Sequence, residues 1–308
     1  MRILAINLLI TLVPVCALRA DPPSIAFVGH GAPAIPGLAP GQIVTIFGTG
    51  FPVPSDPVIA QKIPLPTVLG GISALLRQTI GPQQISVPMI SVAPVGNCTA
   101  LTNCAPMLAV TLQVPAELTA YPPGSLGPPN TATLTISDQS GDTASIAIAA
   151  NLDSVHILTP ADAGLASSTS SVITHADGSL VTSEKPATAG EELVAYATGL
   201  GSTTPNVVAG AITPSPAPKA NNSPQLSFNF APNAPAWNNV IEQPTIIVSA
   251  AVFAGLSPQN VGLYQLNFVV PAPPSTTVPC STDVRSNVTM TVIGSASFDG
   301  APFCVATH

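Results

Sequence analysis

The chain has 308 residues, enough for two domains of ordinary size, each with its own core. Its 36 prolines and 23 glycines exclude long helices, since each interior proline costs a helix about 3 kcal/mol, and a hydrophobic fraction of 46% with a net charge of −7 is the reverse of the disordered signature. With 7% of residues charged and seven Lys and Arg in all, the chain lacks the basic face that nucleic acid or an anionic membrane surface requires.

Residues 1–20, MRILAINLLITLVPVCALRA, read as a secretory signal peptide: a basic residue, then an apolar run from Ile3 to Leu18, with cleavage expected after Ala17 or Ala20. Lipidation at Cys16 is the rival, disfavoured because Val15 stands where a lipobox wants Gly, Ala or Ser. No other stretch approaches the roughly 18 unbroken apolar residues of a membrane span.

Residues 21–39 form an extended, proline-spaced lead-in. IVTIFG at 43–48 alternates and is β-branched, which predicts a strand, and Gly48 and Gly50 suit the turn after it. Residues 63–76 give a proline-edged segment, a Gly-Gly turn or bulge and a strand; 85–95 is a strand region interrupted by Pro88; 110–114 is a strand ended by Pro115. TATLTIS at 131–137 and TASIAIA at 143–149 are expected to pair as a hairpin across a polar turn. SVITHADGSLVT at 171–182 predicts a second hairpin around Asp177 and Gly178. A strand follows at 192–198, then a long loop at 205–243 rich in Pro, Asn and Ala. SAAVFAG, GLYQLNFVV and SNVTMTVIG predict three strands, and SASFDGAPFCVA a last one.

Short strands at about 8–12-residue spacing, with Thr, Ser, Asn and Gln on their polar faces, predict β-sandwiches. The chain also repeats itself. GQIVTIFGTGF at 41–51 returns as GEELVAYATGL 149 residues on; VTLQVPAE at 110–117 and TATLTIS at 131–137 return as LNFVVPAP and NVTMTVI, each 156 residues on. Two copies of one β-rich unit, 21–150 and 151–308, therefore make up the chain after the signal peptide.

Beyond Cys16 four cysteines remain, Cys98, Cys104, Cys280 and Cys304, an even number that reads as disulfides in a secreted chain. Of the three connectivities, Cys98–Cys104 with Cys280–Cys304 is favoured because each pair lies inside one repeat. The spacings match no zinc pattern.

No G-x-S-x-G, H-E-x-x-H, C-x-x-C or P-loop pattern occurs, so neither cofactor nor metal is implied and the chain is read as non-enzymatic. Of the four histidines, His308 is terminal, His30 lies in the glycine-rich lead-in, His175 flanks the Asp-Gly turn and His156 lies between the copies. Glu191 and Glu192 are adjacent, and on a strand would point to opposite faces, so they cannot act as a glycosidase pair. Asp138 and Asp142 flank a turn, where holding calcium would need several more oxygens. The candidate ligand contacts are aromatic: Trp237, the only tryptophan, with Phe228 and Phe230 nearby in sequence. Exposed rings would stack on sugars; buried ones would cover a sandwich edge or the junction between the copies.

Taken together, LAPGQIVTIFGTGF, PLPTVLGGISA, HADGSLVT, AGEELVAYATGLGSTTP and FAGLSPQNVGLYQLNFVVP resemble the Solibacter-type C-terminal domain, an uncharacterised family of acidobacterial secreted proteins; the matches run from 38 to about 293. The first half also resembles IPT/TIG immunoglobulin-like repeats, whose opening strand ends in G-x-G-F or G-x-N-F. The chain departs from the family in its cysteine loop at 98–104 and its long segment at 205–243. The resemblance implies two immunoglobulin-like sandwiches in a secreted or envelope protein and supplies no catalytic residues. The expected role is an interaction or structural module contacting an extracellular protein or polysaccharide. A carbohydrate-binding module and an unrecognised hydrolase are the alternatives. The scarcity of carboxylates further predicts a stability that changes little as pH falls.

Overall fold

The computed structural model describes residues 22–29, 37–95, 106–121, 131–163, 171–237 and 246–307. The expected signal peptide, His30, His308 and the expected Cys98–Cys104 pairing lie outside them. The protein is all-β. The first sheet runs β1 (Ser24–Gly29), β3 (Ile43–Thr49), β9 (Met107–Gln113), β8 (Met89–Val95), β4 (Val58–Ile59). The second runs β2 (Gly37–Leu38), β11 (Thr143–Ala150), β10 (Thr131–Ser137), β6 (Ile72–Gln78), β5 (Val68–Leu69), with β7 (Gln84–Ser86) also on β6. These two sheets enclose one core, in which Val44, Ile46, Leu76, Leu112 and Leu134 are buried.

The third sheet runs β12 (His156–Ile157), β14 (Glu192–Thr198), β20 (Tyr264–Val269), β19 (Phe253–Leu256), β16 (Lys219–Ala220), β15 (Thr203–Thr204), with β13 (Ile173–Thr174) also on β14. The fourth runs β18 (Ile246–Ala250), β17 (Gln225–Asn229), β21 (Val288–Ile293), β22 (Phe298–Phe303). Together they enclose a second core, with Leu193, Phe228, Leu266, Phe268 and Met290 inside. The cores divide between Ala150 and Val155.

The sequence repeat is a repeat of register. Ile43 pairs with Gln113 on β9, and the equivalent positions Glu192 and Val269 pair in the second copy. The turns before β3 and β14 also match. Gln42 Oε1 accepts the Ala39 N–H at 2.8 Å and Glu191 Oε2 accepts the Thr188 N–H at 2.9 Å. Gly41 and Gly190 hold φ of 76° and 80° in those turns, a conformation that favours glycine.

The predicted strands at 43–48, 110–114, 131–137, 143–149 and 192–198 form within one to three residues of those bounds. The interruption at Pro88 is a change of sheet: β7 pairs with β6 and β8 with β9. SAAVFAG likewise holds parts of two strands, β18 and β19, in opposite sheets. At HADGS the turn forms, with His175 N donating to Ser179 O at 2.9 Å, but its arms meet only in the bridge between Thr174 and Leu180. β13 pairs with β14 instead. The segment 205–243, expected as loop, carries β16 and β17, and β17 lies between β18 and β21 inside the fourth sheet. Prolines and asparagines flank QLSFN closely enough to hide it, yet its apolar side chains reach the core.

The disulfide expected between Cys280 and Cys304 is present and ties the connection after β20 to the residue following β22.

Candidate functional site

The halves meet through polar groups that are buried on both sides. Gln42 and Gln113 lie at the end of the first sandwich and are 0% and 6% exposed. Gln42 Nε2 donates to Ser154 O at 3.3 Å; Gln113 Oε1 accepts the Gly210 N–H at 2.6 Å while its Nε2 donates to Gly41 O at 3.2 Å. The Ile43 N–H reaches Thr198 Oγ1 at 2.9 Å, and Leu65 N donates to Gly210 O at 2.8 Å. Buried amides carry a desolvation cost unless paired, so this pairing fixes how the two halves sit together.

The connecting segment is gripped on two sides. Asp153 is buried and accepts the N–H groups of Ser295 and Ala296 and the hydroxyl of Ser297. On the other side the T-G-L-G turn presses against it: a Cβ on Gly199 would lie 2.0 Å from Ser154 O, and one on Gly201 2.0 Å from Leu152 O. Tyr264 closes the turn by donating its hydroxyl to Gly201 O, and burial raises the phenol above its ordinary value.

Beside these bonds the outer faces of the first and third sheets diverge around a cavity of about 480 Å³. Ile43, Thr45 and Thr111 form one wall, and Leu158, Val172 and Leu263 belong to the other. His156 and Asp162 supply its ionisable groups. His156 Nε2 lies 3.0 Å from Asp162 Oδ1 and Nδ1 lies 3.2 Å from Asp299 Oδ2. Burial favours the neutral imidazole, but hydrogen bonds and charge attraction from both carboxylates outweigh it and raise the His156 pKa to about 9. Burial likewise opposes the charged form of Asp162, yet its bonds with His156 and Thr159 hold the carboxyl below the ordinary range. The two carboxylates sit on opposite ring nitrogens, so the triad is a line of charges and not a convergent metal cage.

His175 is buried at the HADGS turn. Nδ1 contacts Glu191 Oε1 and Nε2 faces Lys185 O at 3.2 Å. Burial pushes the Glu191 carboxyl up, and its bonds with His175 and Thr188 more than offset that, leaving it below its usual value. This cluster ties the hairpin to the start of β14. Asp138 Oδ1 is spent on its own turn, accepting the N–H groups of Ser140 and Asp142.

The aromatic trio is split. Phe228 and Phe230 are core residues, so the expectation that they contact a ligand is corrected: their positions point into the second core, and a ring with no exposed face cannot stack on a partner. Trp237 is 50% exposed. Its backbone N–H donates to Thr291 Oγ1 at 3.2 Å, and neighbouring Ala236 packs over Gly300. Phe298, two residues from Gly300 and so on the same face of β22, is also exposed. Sequence proximity suggests the wrong companions; strand alternation along SFDGAPF is the signal that could have pointed to Phe298.

No family model and no curated protein matches the chain. The chain aligns over 92% of its length with the crystal structure of a protein from Corynebacterium diphtheriae described as membrane anchored, at 14% identity, 57% coverage of that chain and a TM-score of 0.17. It also aligns over 92% with Escherichia coli alpha-2-macroglobulin activated by porcine elastase, at 9% identity, 23% coverage of that chain and a TM-score of 0.16. At such TM-scores neither alignment supports an inference about this chain. Among the described residues no helix is long and apolar enough to cross a membrane.

Proposed function

We propose that the protein is a non-enzymatic interaction module of the cell envelope or extracellular space, built from two immunoglobulin-like, IPT/TIG-like sandwiches of the Solibacter-type family, with an extracellular protein or polysaccharide as partner. The observation that supports this reading is the buried junction. Gln42, Gln113, Thr198 and Gly210 hold the two sandwiches in one fixed relation, so loops from both can meet a partner as a single preorganised surface at little entropic cost. The alternative of a carbohydrate-binding module is favoured by Trp237, a half-exposed residue whose backbone N–H is held by Thr291 of β21.

The test uses the chain from Asp21 onward with its disulfides oxidised. Its depletion from solution is measured against isolated bacterial envelopes and a panel of insoluble polysaccharides, beside Trp237→Ala. Saturable binding to envelopes that ignores the substitution supports a protein or structural partner. Saturable binding to one polysaccharide, lost in W237A, selects the sugar-binding reading. No depletion by either overturns both.

A further inference from the structure

The cavity between the sheets has the size of a small-molecule site, within the roughly 300–1,000 Å³ typical of them, and lies between two packed units, where such sites recur. Its lining is mostly aliphatic. The threonine hydroxyls on the first-sheet wall are already used, Thr45 Oγ1 and Thr111 Oγ1 bonding each other at 3.0 Å. That leaves a mainly apolar surface with His156 and Asp162 as its charged pair, the chemistry of an amphiphile's pocket.

That charged pair selects the head group. Among the described residues no Lys or Arg lines the cavity. Both nitrogens of His156 are engaged by carboxylates, so a protonated ring between Asp162 and Asp299 leaves the cluster one negative charge in excess. An anionic head would meet that excess with no cation to receive it. A donor head would find Asp162: its oxygens accept from His156 and from the N–H and hydroxyl of Thr159, three bonds where a carboxylate has about four acceptor sites. We propose that this cavity binds an amphiphile consisting of an alkyl chain with a primary amine head, the chain lying between Thr45, Thr111, Val172 and Leu263 and the ammonium against Asp162. The inference needs only the junction and is independent of the envelope reading.

Calorimetric titration of the chain from Asp21 onward, at pH 7 and low salt, would compare dodecylamine, dodecanol and dodecanoate below their micelle-forming concentrations. One dodecylamine per chain is expected, bound roughly tenfold or more tightly than dodecanoate, the discrimination that one charge-assisted hydrogen bond supplies. Thr111→Trp fills the cavity and should abolish binding of the amine and the alcohol. Leu180→Trp, at the half-exposed rim and outside the sheets, should do the same if T111W does not fold. Asp162→Asn should keep dodecanol binding and remove most of the preference for the amine. Absence of saturable dodecylamine binding overturns the proposal, as does dodecanoate binding as tightly as the amine, or binding unchanged in a folded T111W or L180W protein.

Discussion

Gln113 accepts the Gly210 N–H at 2.6 Å across 97 residues of sequence, from the last position of β9 to a loop of the other half. The same side chain donates to Gly41 O at 3.2 Å, so one amide satisfies a backbone carbonyl of its own half and a backbone N–H of the other. Gln113→Ala is expected to destabilise the protein by about 1–3 kcal/mol, because it strands a buried donor and a buried acceptor. Urea midpoints would measure this, with Gln61→Ala, an exposed glutamine, expected within about 0.5 kcal/mol of the parent.

Two glycines with the same backbone angle should respond very differently to alanine. Gly178 holds φ 81° with nothing within 4 Å of where a Cβ would stand, so Gly178→Ala bears only the left-handed penalty of about 1–2 kcal/mol. Gly199 holds φ 78°, but a Cβ there would lie 2.0 Å from Ser154 O, and the connecting segment would have to move. Gly199→Ala is expected to cost at least about 3 kcal/mol more than Gly178→Ala, or to prevent folding. Equal urea midpoints for the two variants would show that the segment is not gripped as described.

The His156 cluster predicts an alkaline limb in stability. Its folded pKa, about 9, lies above the ordinary 6.5. The contribution is therefore fully present below about pH 6.5 and is lost as pH rises through about 9. The shift corresponds to on the order of 2–3 kcal/mol for a group about one-fifth exposed. His156→Gln should flatten the decline in urea midpoint between pH 7 and pH 10; an unchanged decline would assign it to other groups.

At the acid end, a small number of carboxylates does not make the fold indifferent to protonation. Asp162 and Glu191 are both held below their ordinary range by hydrogen bonds. Depressed groups stabilise above their unfolded pKa and lose that contribution as pH falls through the folded value. Urea midpoints are expected to be flat from pH 7 to about pH 4 and to fall below it; a midpoint constant to pH 2 would contradict the role given to these bonds.

The disulfide between Cys280 and Cys304 spans 24 residues and restricts the unfolded chain. Replacing both cysteines by serine is expected to cost about 2–4 kcal/mol, measured as the difference in urea stability between the oxidised parent and the double variant. Reduction of the parent should reproduce most of that loss.

What can be read from the residues is what depends on short-range pattern. Alternation along IVTIFGT and TATLTIS fixes strands because side chains on a strand point to opposite faces. The 149- and 156-residue repeats carry the pairing of β3 with β9 over to β14 with β20. Where polar residues and prolines crowd a strand, as around QLSFN, the pattern is too short to see, and β17 is legible only in the structure.

Alternation by itself also places Gln113, Thr198 and Thr291 on outward, solvated faces, and it is right about the faces. All three are nonetheless buried, the first two by the opposite half and Thr291 beneath the 234–237 segment. The sequence determined two copies of an all-β unit and the facing of their side chains, because strand period and register are local properties of the chain. Only the tertiary structure decided which outward polar groups become a junction, that His156 stands between two aspartates and that a cavity opens beside them. Those outcomes depend on which distant surface comes to rest on each face, and hydrogen bonds between residues 100 or more apart leave no periodic trace in a single sequence.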